Sequence, residues 1–61
     1  MKWNELKRIA IKKGWKLLRE GANHEIYVHP DRPTERLTIG RHGKEEIKPG
    51  LYKSLKKQIG F

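Results

Sequence analysis

Apolar residues recur at helical spacing in two stretches, one near each end of the 61-residue chain. In the first stretch, Leu6 and Ile9 fall on one helical face, and Asn4 precedes them as a favourable N-cap. Gly14 follows, and glycine readily takes the left-handed conformation that ends a helix. The pattern therefore predicts a first helix over residues 4–13.

The second stretch begins at Pro49, because proline has a φ angle suited to the first position of a helix. Gly60 ends the pattern, and the residues between them place an apolar stripe on one side. The stripe consists of Leu51, Tyr52, Leu55, Gln58 and Ile59. Lys53, Lys56 and Lys57 lie on the opposite side, which we expect to face solvent. A second amphipathic helix is therefore predicted.

Three short runs between the helices have the alternation or the β-branched residues of strands. The first covers about residues 15–20, the second 24–29 and the third 36–39, which stops at Gly40. Residues 30–34 contain two prolines and are predicted to form a hairpin loop, because proline cannot donate to a strand ladder. We therefore expect an antiparallel sheet.

Alternation along the second strand puts His24 on the same side as Ile26 and Val28. Glu25 and Tyr27 occupy the other side. Neither side is clearly polar, so the pattern leaves open which of them faces the core.

The turn Gly21-Ala22-Asn23 precedes this strand. Glycine and asparagine tolerate positive φ angles, so we predict that they reverse the chain here. His24 would then stand where turn meets strand, a rigid position open to solvent. An imidazole there can transfer protons near neutral pH, although a lone histidine is more often an ordinary surface residue.

The elements together predict an α+β domain in the order α-β-β-β-α, with a three-stranded antiparallel sheet and two helices on one face. The other face is left open, and a partner is expected there. Residues 1–61 are interpreted as a single small domain, because a chain of this size has room for one core. The predicted core consists of Leu6, Ile9, Ala10, Trp15, Leu17, Leu37, Ile39, Leu51, Leu55 and Ile59.

Charge indicates what the partner is. The chain has 15 Lys and Arg residues against 7 Asp and Glu, a net charge of +8, which attracts RNA, DNA or an acidic protein. It has no cysteine, and no apolar run reaches the ~20 residues of a membrane span. We expect a cytoplasmic protein without a membrane partner.

Basic residues around the turn are candidates for phosphate contacts, with solvated surface charge as the alternative. These candidates are Arg19, Arg41 and Lys44. His42 lies in a basic loop between glycines and is equally suited to phosphate contact or to solvent. A second acid-base group beside His24 could be Tyr27, His42 or water.

A metal site is not expected, because the histidines lack a helical i, i+4 pair and no cysteine is available. No other cofactor is expected. We expect His29, which precedes Pro30 at a strand end, to pack against the hairpin loop. Glu45 and Glu46 are expected to offset the neighbouring lysines.

Several short motifs follow one another along the chain. They are Gly14-Trp15, Gly21-Ala22-Asn23-His24, His29-Pro30, Arg41-His42-Gly43-Lys44-Glu45, Ile47-Lys48-Pro49-Gly50 and Leu55-Lys56-Lys57-Gln58-Ile59-Gly60. In this order and at these separations, the sequence resembles over its whole length the HicA toxins of bacterial and archaeal HicA/HicB toxin-antitoxin pairs, also called YcfA-like proteins.

The resemblance implies a double-stranded-RNA-binding-domain-like fold and a metal-independent mRNA endoribonuclease that blocks translation and growth. His24 matches the family's catalytic histidine. The implied partner is a HicB-like antitoxin that covers His24 and the basic surface in an inert complex. The sequence departs from the family at Glu25, where many members have a second histidine, and at Ala22, where serine is common.

Two other functions fit the same residues. A non-catalytic RNA-binding domain of the double-stranded-RNA-binding type would contact phosphates and 2′-hydroxyl groups by shape. A protein-interaction module would bind an acidic partner. Cleavage of RNA by the isolated protein distinguishes the enzyme from both.

Overall fold

The computed structural model describes residues 1–61 and has two helices and three strands in the order α-β-β-β-α. The elements are α1 (Trp3–Lys12), β1 (Lys16–Glu20), β2 (His24–His29), β3 (Arg32–Gly40) and α2 (Pro49–Ile59). The predicted α+β class and element order are confirmed. Neither helix is long and apolar enough to cross a membrane.

Helix α1 begins earlier than predicted, and its N-cap is Lys2 rather than Asn4. Two of the first-turn N–H groups, which have no partner within a helix, bond instead to the loop that precedes α2. The N–H of Trp3 donates to the carbonyl of Glu45 (3.2 Å), and that of Asn4 to the carbonyl of Gly43 (3.0 Å). A tertiary contact therefore takes the place of the predicted side-chain cap.

Both helices end at glycine in the left-handed region, as predicted. Gly14 has φ 101° and Gly60 has φ 97°. At Gly14 there is also no room for a side chain, because a Cβ atom would lie 2.8 Å from Nε2 of His29. The first helix can therefore turn directly into Trp15, which is buried.

The sheet is antiparallel with the order β1-β2-β3. Strand β3 starts at Arg32, which pairs with His29, so the β2–β3 turn contains only Pro30 and Asp31. The predicted loop over 30–34 is therefore too long. Pro33 lies within β3 because this is an edge strand, where one side of the backbone needs no ladder donor.

Burial decides the orientation of the central strand. Glu25 and Tyr27 are buried against the helices, whereas His24 is exposed and Ile26 is half-buried on the other side. This second side is the open face of the sheet, and it carries His24.

The core contains nine buried apolar residues. They are Leu6, Ala10, Trp15, Tyr27, Leu37, Ile39, Ile47, Leu55 and Ile59. Tyr27 and Ile47 were not predicted. Leu17 and Leu51 were predicted but are 47% and 46% exposed, and Ile9 is only half-buried.

These differences follow from how the helices cover the sheet. Leu17, Tyr27 and Leu37 form one row across the three strands, but the helices cover β2 and β3 and leave Leu17 on β1 uncovered. Ile47 becomes part of the core because its backbone N–H is bonded to the carbonyl of Met1 at 2.9 Å. Apolar periodicity alone does not contain this information.

Candidate active site on the open face of the sheet

The turn before β2 is held by hydrogen bonds rather than by unusual backbone angles. Neither Gly21 nor Asn23 has a positive φ, so the prediction on this point is wrong. The Arg41 side chain donates from Nη1 to the carbonyl of Gly21 (2.7 Å), and its backbone N–H donates to the carbonyl of Asn23 (3.1 Å). The N–H of Gly21 donates to the carbonyl of His24 at 2.7 Å. Arg41 therefore positions the turn that carries His24.

His24 is the first residue of β2 and pairs with Gly40 of β3. Its side chain is exposed and makes no hydrogen bond within the protein. The indole of Trp3 lies over Gly40, where a Cβ atom would be only 2.9 Å from Cε2 of Trp3. Because Gly40 has no side chain, the ring of Trp3 can pack against its backbone, next to His24.

A polar groove lies on one side of His24. It encloses about 400 Å³ and is lined by Arg19, Glu20, the turn 21–23, His24 and Ile26. Arg19 pairs with Ile26 across β1 and β2. The structure thus brings together two of the predicted site residues, the histidine and one arginine.

A second groove lies on the other side of His24, between β3 and α2. It encloses about 290 Å³ and is lined by Trp3, His24, Arg36, Thr38, Leu51, Leu55 and Gln58. A third groove, along the middle of the open face, is lined by Leu18, Arg19, Ile26 and Arg36. Arg36 therefore links the region around Arg19 to the groove beside α2.

Sequence reasoning did not identify Arg36 as a site residue. Its guanidinium is fixed by two bonds from Nη1, to the carbonyls of Pro33 (3.0 Å) and Glu35 (3.1 Å). Alternation from Thr38, which pairs with Ile26, puts Arg36 on the same face as His24. That signal was present in the sequence but could be used only once the open face was known.

The other predicted residues belong to the loop 41–45, which lies away from these grooves. It packs against the start of α1, and a Cβ atom on Gly43 would collide with the side chain of Asn4. His42 and Lys44 are exposed in this loop and line none of the grooves. Glu46 bonds to the N-terminal ammonium of Met1 at 3.0 Å rather than to a lysine.

His29 is engaged in packing at the opposite end of β2. Its Nδ1 accepts a bond from the N–H of Asp31 (3.0 Å), so its Nε2 carries the proton and donates to the carbonyl of Lys13 (2.9 Å). The ring also meets Trp15 edge to face, with centroids 5.3 Å apart. His29 joins the hairpin turn, as predicted, to the end of α1.

Tyr27 does not lie near His24, because it is buried on the helix side of the sheet. Its hydroxyl donates to Oε1 of Glu25 (2.8 Å), and Nζ of Lys7 lies 3.0 Å from the same oxygen. The proposal that Tyr27 is an acid-base partner of His24 is therefore wrong. Glu25 and Tyr27, both buried, form a polar network under the site with the half-buried Lys7.

The network shifts the pKa values of its members. Burial alone would raise the pKa of Glu25, but bonds from Lys7 and Tyr27 and the charges of Lys7 and Arg41 outweigh it, so the pKa is lowered. The bond to Glu25 raises the pKa of Lys7. Burial, then the bond to Glu25, raises the pKa of Tyr27.

This network is expected to make the fold sensitive to acid. The pKa of Glu25 is lowered in the folded protein. Ionised Glu25 therefore stabilises the fold at pH values above its pKa in the unfolded chain. This stabilisation is lost as the pH falls through the pKa of Glu25 in the folded protein. Glu25→Gln should reduce the free energy of unfolding at neutral pH by about 1–3 kcal/mol. The free energy of unfolding should then decrease less steeply as the pH is lowered. Thermal melts between neutral pH and pH values below the folded pKa of Glu25 measure both effects.

Glu20→Gln is the matched control, because Glu20 pairs with Glu25 across the sheet but is exposed. The stability of Glu20→Gln should decrease in acid as much as that of the unmodified protein. An equal acid dependence in Glu25→Gln and the unmodified protein would contradict the role of Glu25.

No three His, Asp or Glu side chains are grouped so that they could hold a metal ion. In comparison with known proteins, a family model described as the HicA toxin of bacterial toxin-antitoxin matches residues 3–61 of the chain. No curated protein matches the sequence.

Proposed function

We propose, because the chain belongs to the HicA toxin family of bacterial toxin-antitoxin systems, that it is a metal-independent endoribonuclease that cleaves mRNA with His24 as its single catalytic histidine. The proposal rests on the exposure of the His24 side chain and on its lack of a hydrogen-bond partner. His24 is exposed between two grooves, has no partner in the protein and shares one groove with Arg19. His29, by contrast, is fully engaged.

RNA supplies its own nucleophile, so a single base is enough to start the reaction. His24 takes the proton of a 2′-hydroxyl group, and the oxygen attacks the adjacent phosphorus. The bond from phosphorus to the 5′-oxygen breaks, and that oxygen takes a proton from water. The protonated His24 gives its proton to the hydroxide that remains, which restores both the water and the neutral imidazole. The products are one strand with a 2′,3′-cyclic phosphate and one with a 5′-hydroxyl. No second side chain is needed in this scheme.

The cations beside His24 would stabilise the charge that develops on the phosphoryl oxygens. Arg19 is suited to this role because it shares the polar groove. Arg41 is a positioning residue, since its side chain holds the turn. We assign His42 and Lys44 to phosphates of the flanking RNA, because both are exposed beyond the grooves.

The family also implies a HicB antitoxin as partner. We propose that this antitoxin covers His24 and the grooves on both sides, so that RNA has no access in the complex. Since mRNA is the substrate, the protein would act in the cytoplasm.

The direct test is to incubate the purified protein with an end-labelled mRNA in excess EDTA. Cleavage should proceed, leave 2′,3′-cyclic phosphate and 5′-hydroxyl ends, and stop when the cognate antitoxin is added. Intact RNA after prolonged incubation would overturn the proposal and favour the non-catalytic RNA-binding domain. Cleavage that EDTA abolishes, or 5′-phosphate products, would exclude this mechanism.

A further inference from the structure

The groove between α2 and β3 is next to His24, and its lining includes Trp3, Leu51 and Leu55, whereas the lining of the groove that holds Arg19 includes no tryptophan or leucine. We propose that the groove between α2 and β3 binds one unpaired nucleobase of the RNA, adjacent to the phosphate at which the chain is cut. This inference rests on the proposed function and adds to it a determinant of which bonds are cut.

His24 lies at the boundary of the two grooves and is the only side chain shared between them. One groove is lined by Arg19, whose guanidinium suits a phosphate, and by Glu20, whose carboxylate repels one. The other is lined by Trp3, Leu51 and Leu55, which suits the faces of a base. The two surfaces therefore match the alternation of charged and apolar groups along a nucleic acid strand.

The apolar part of this groove has a surface available for stacking. Leu51 is 46% exposed although it belongs to the apolar stripe of α2. Trp3 is half-buried, and its indole is held over Gly40 beside His24. RNA-binding proteins commonly stack splayed-out bases on such aromatic rings.

Polar groups around the groove are available to contact the edge of a base. The Thr38 side chain is exposed, and its hydroxyl has no hydrogen bond in the protein. The amide nitrogen of Gln58 donates to the carbonyl of Arg36 (2.9 Å), so its oxygen remains an acceptor. Apolar walls with a few placed polar groups are typical of ligand sites.

Arg36 makes the site specific for a polyanion rather than for an apolar peptide. Its Nη1 is used by two backbone carbonyls, which leaves Nε and Nη2 as donors for a phosphate next to the bound base. The groove encloses about 290 Å³, which is room for a base, and a base whose edge contacts Thr38 and Gln58 cannot use that edge for pairing. The occupant is therefore a single-stranded segment.

The test uses equilibrium binding of a 2′-O-methyl RNA oligonucleotide, which cannot be cleaved, measured by fluorescence anisotropy. Leu51→Ala should weaken binding of the single strand about fivefold to tenfold, because the variant removes apolar surface that the base would cover. Binding of the same sequence as a duplex should not change. Leu17→Ala is the matched control, because Leu17 is equally exposed but lines no groove.

Thr38→Val provides a second variant that keeps the shape of the side chain and suits a strand. Sequencing of the ends produced by cleavage should show an altered base preference beside the cut. Single-strand affinity of Leu51→Ala equal to that of Leu17→Ala, or an unchanged base preference in Thr38→Val, would overturn the inference. Weakened single-strand binding in Leu51→Ala without any cleavage by the unmodified protein would refute the proposed function and support the nucleobase site.

Discussion

Replacing His24 with alanine is expected to lower the rate of RNA cleavage by about 10²- to 10⁴-fold, the usual contribution of a general base. The fold should survive, because the side chain is exposed and makes no hydrogen bond in the protein. Single-turnover cleavage at saturating RNA measures the effect, and circular dichroism verifies the fold. A variant that folds normally and still cleaves at the original rate would contradict the assignment.

The comparison with His42→Ala makes this test specific. Both histidines are exposed, but only His24 lies in the grooves. Loss of His42 should therefore raise KM and leave the rate at saturating RNA nearly unchanged, whereas loss of His24 should reduce the rate itself. An equal loss of rate in both variants would indicate that His42 takes part in the chemistry.

The largest expected effect on stability comes from Leu37→Ala. Leu37 is fully buried at the β3 end of the row that crosses the sheet. Removing a buried leucine side chain costs about 2–5 kcal/mol through lost burial and the cavity left behind. Each kcal/mol corresponds to roughly 4–8 °C in Tm for a domain of this size. The Tm from a thermal melt should fall by at least about 8 °C.

Leu17→Ala is the matched control for this prediction as well. Both leucines are next to Tyr27 in the sheet, but Leu17 is 47% exposed. Its removal should change stability by less than about 1 kcal/mol, because little apolar surface returns to water. Equal melting shifts in the two variants would mean that the helices do not cover the sheet as described.

Local signals were sufficient for much of the fold. The second helix runs from Pro49 to a left-handed Gly60, as predicted, because proline and glycine favour these positions through their own backbone preferences. The same holds for the stop at Gly14 and for β2 over residues 24–29. His24 as a candidate and its position after a turn also came from short-range patterns.

Two errors arose where a distant segment replaced a local interaction. Asn4 is not a cap, because the carbonyls of residues 43 and 45 already bond to the first turn of α1. The turn before His24 needs no positive φ, because Arg41 stabilises it from the end of β3. In both cases the partner is about 20 or more residues away in sequence.

The sequence by itself determined the element order, the helix ends and the histidine at the start of β2, because backbone preference and periodicity act over a few residues. Only the tertiary structure decided that His24 faces away from the helices, that Tyr27 is buried beneath it, and that Arg36 lies beside it. The reason is that an alternating strand has two faces, and packing against the helices selects which of them is buried.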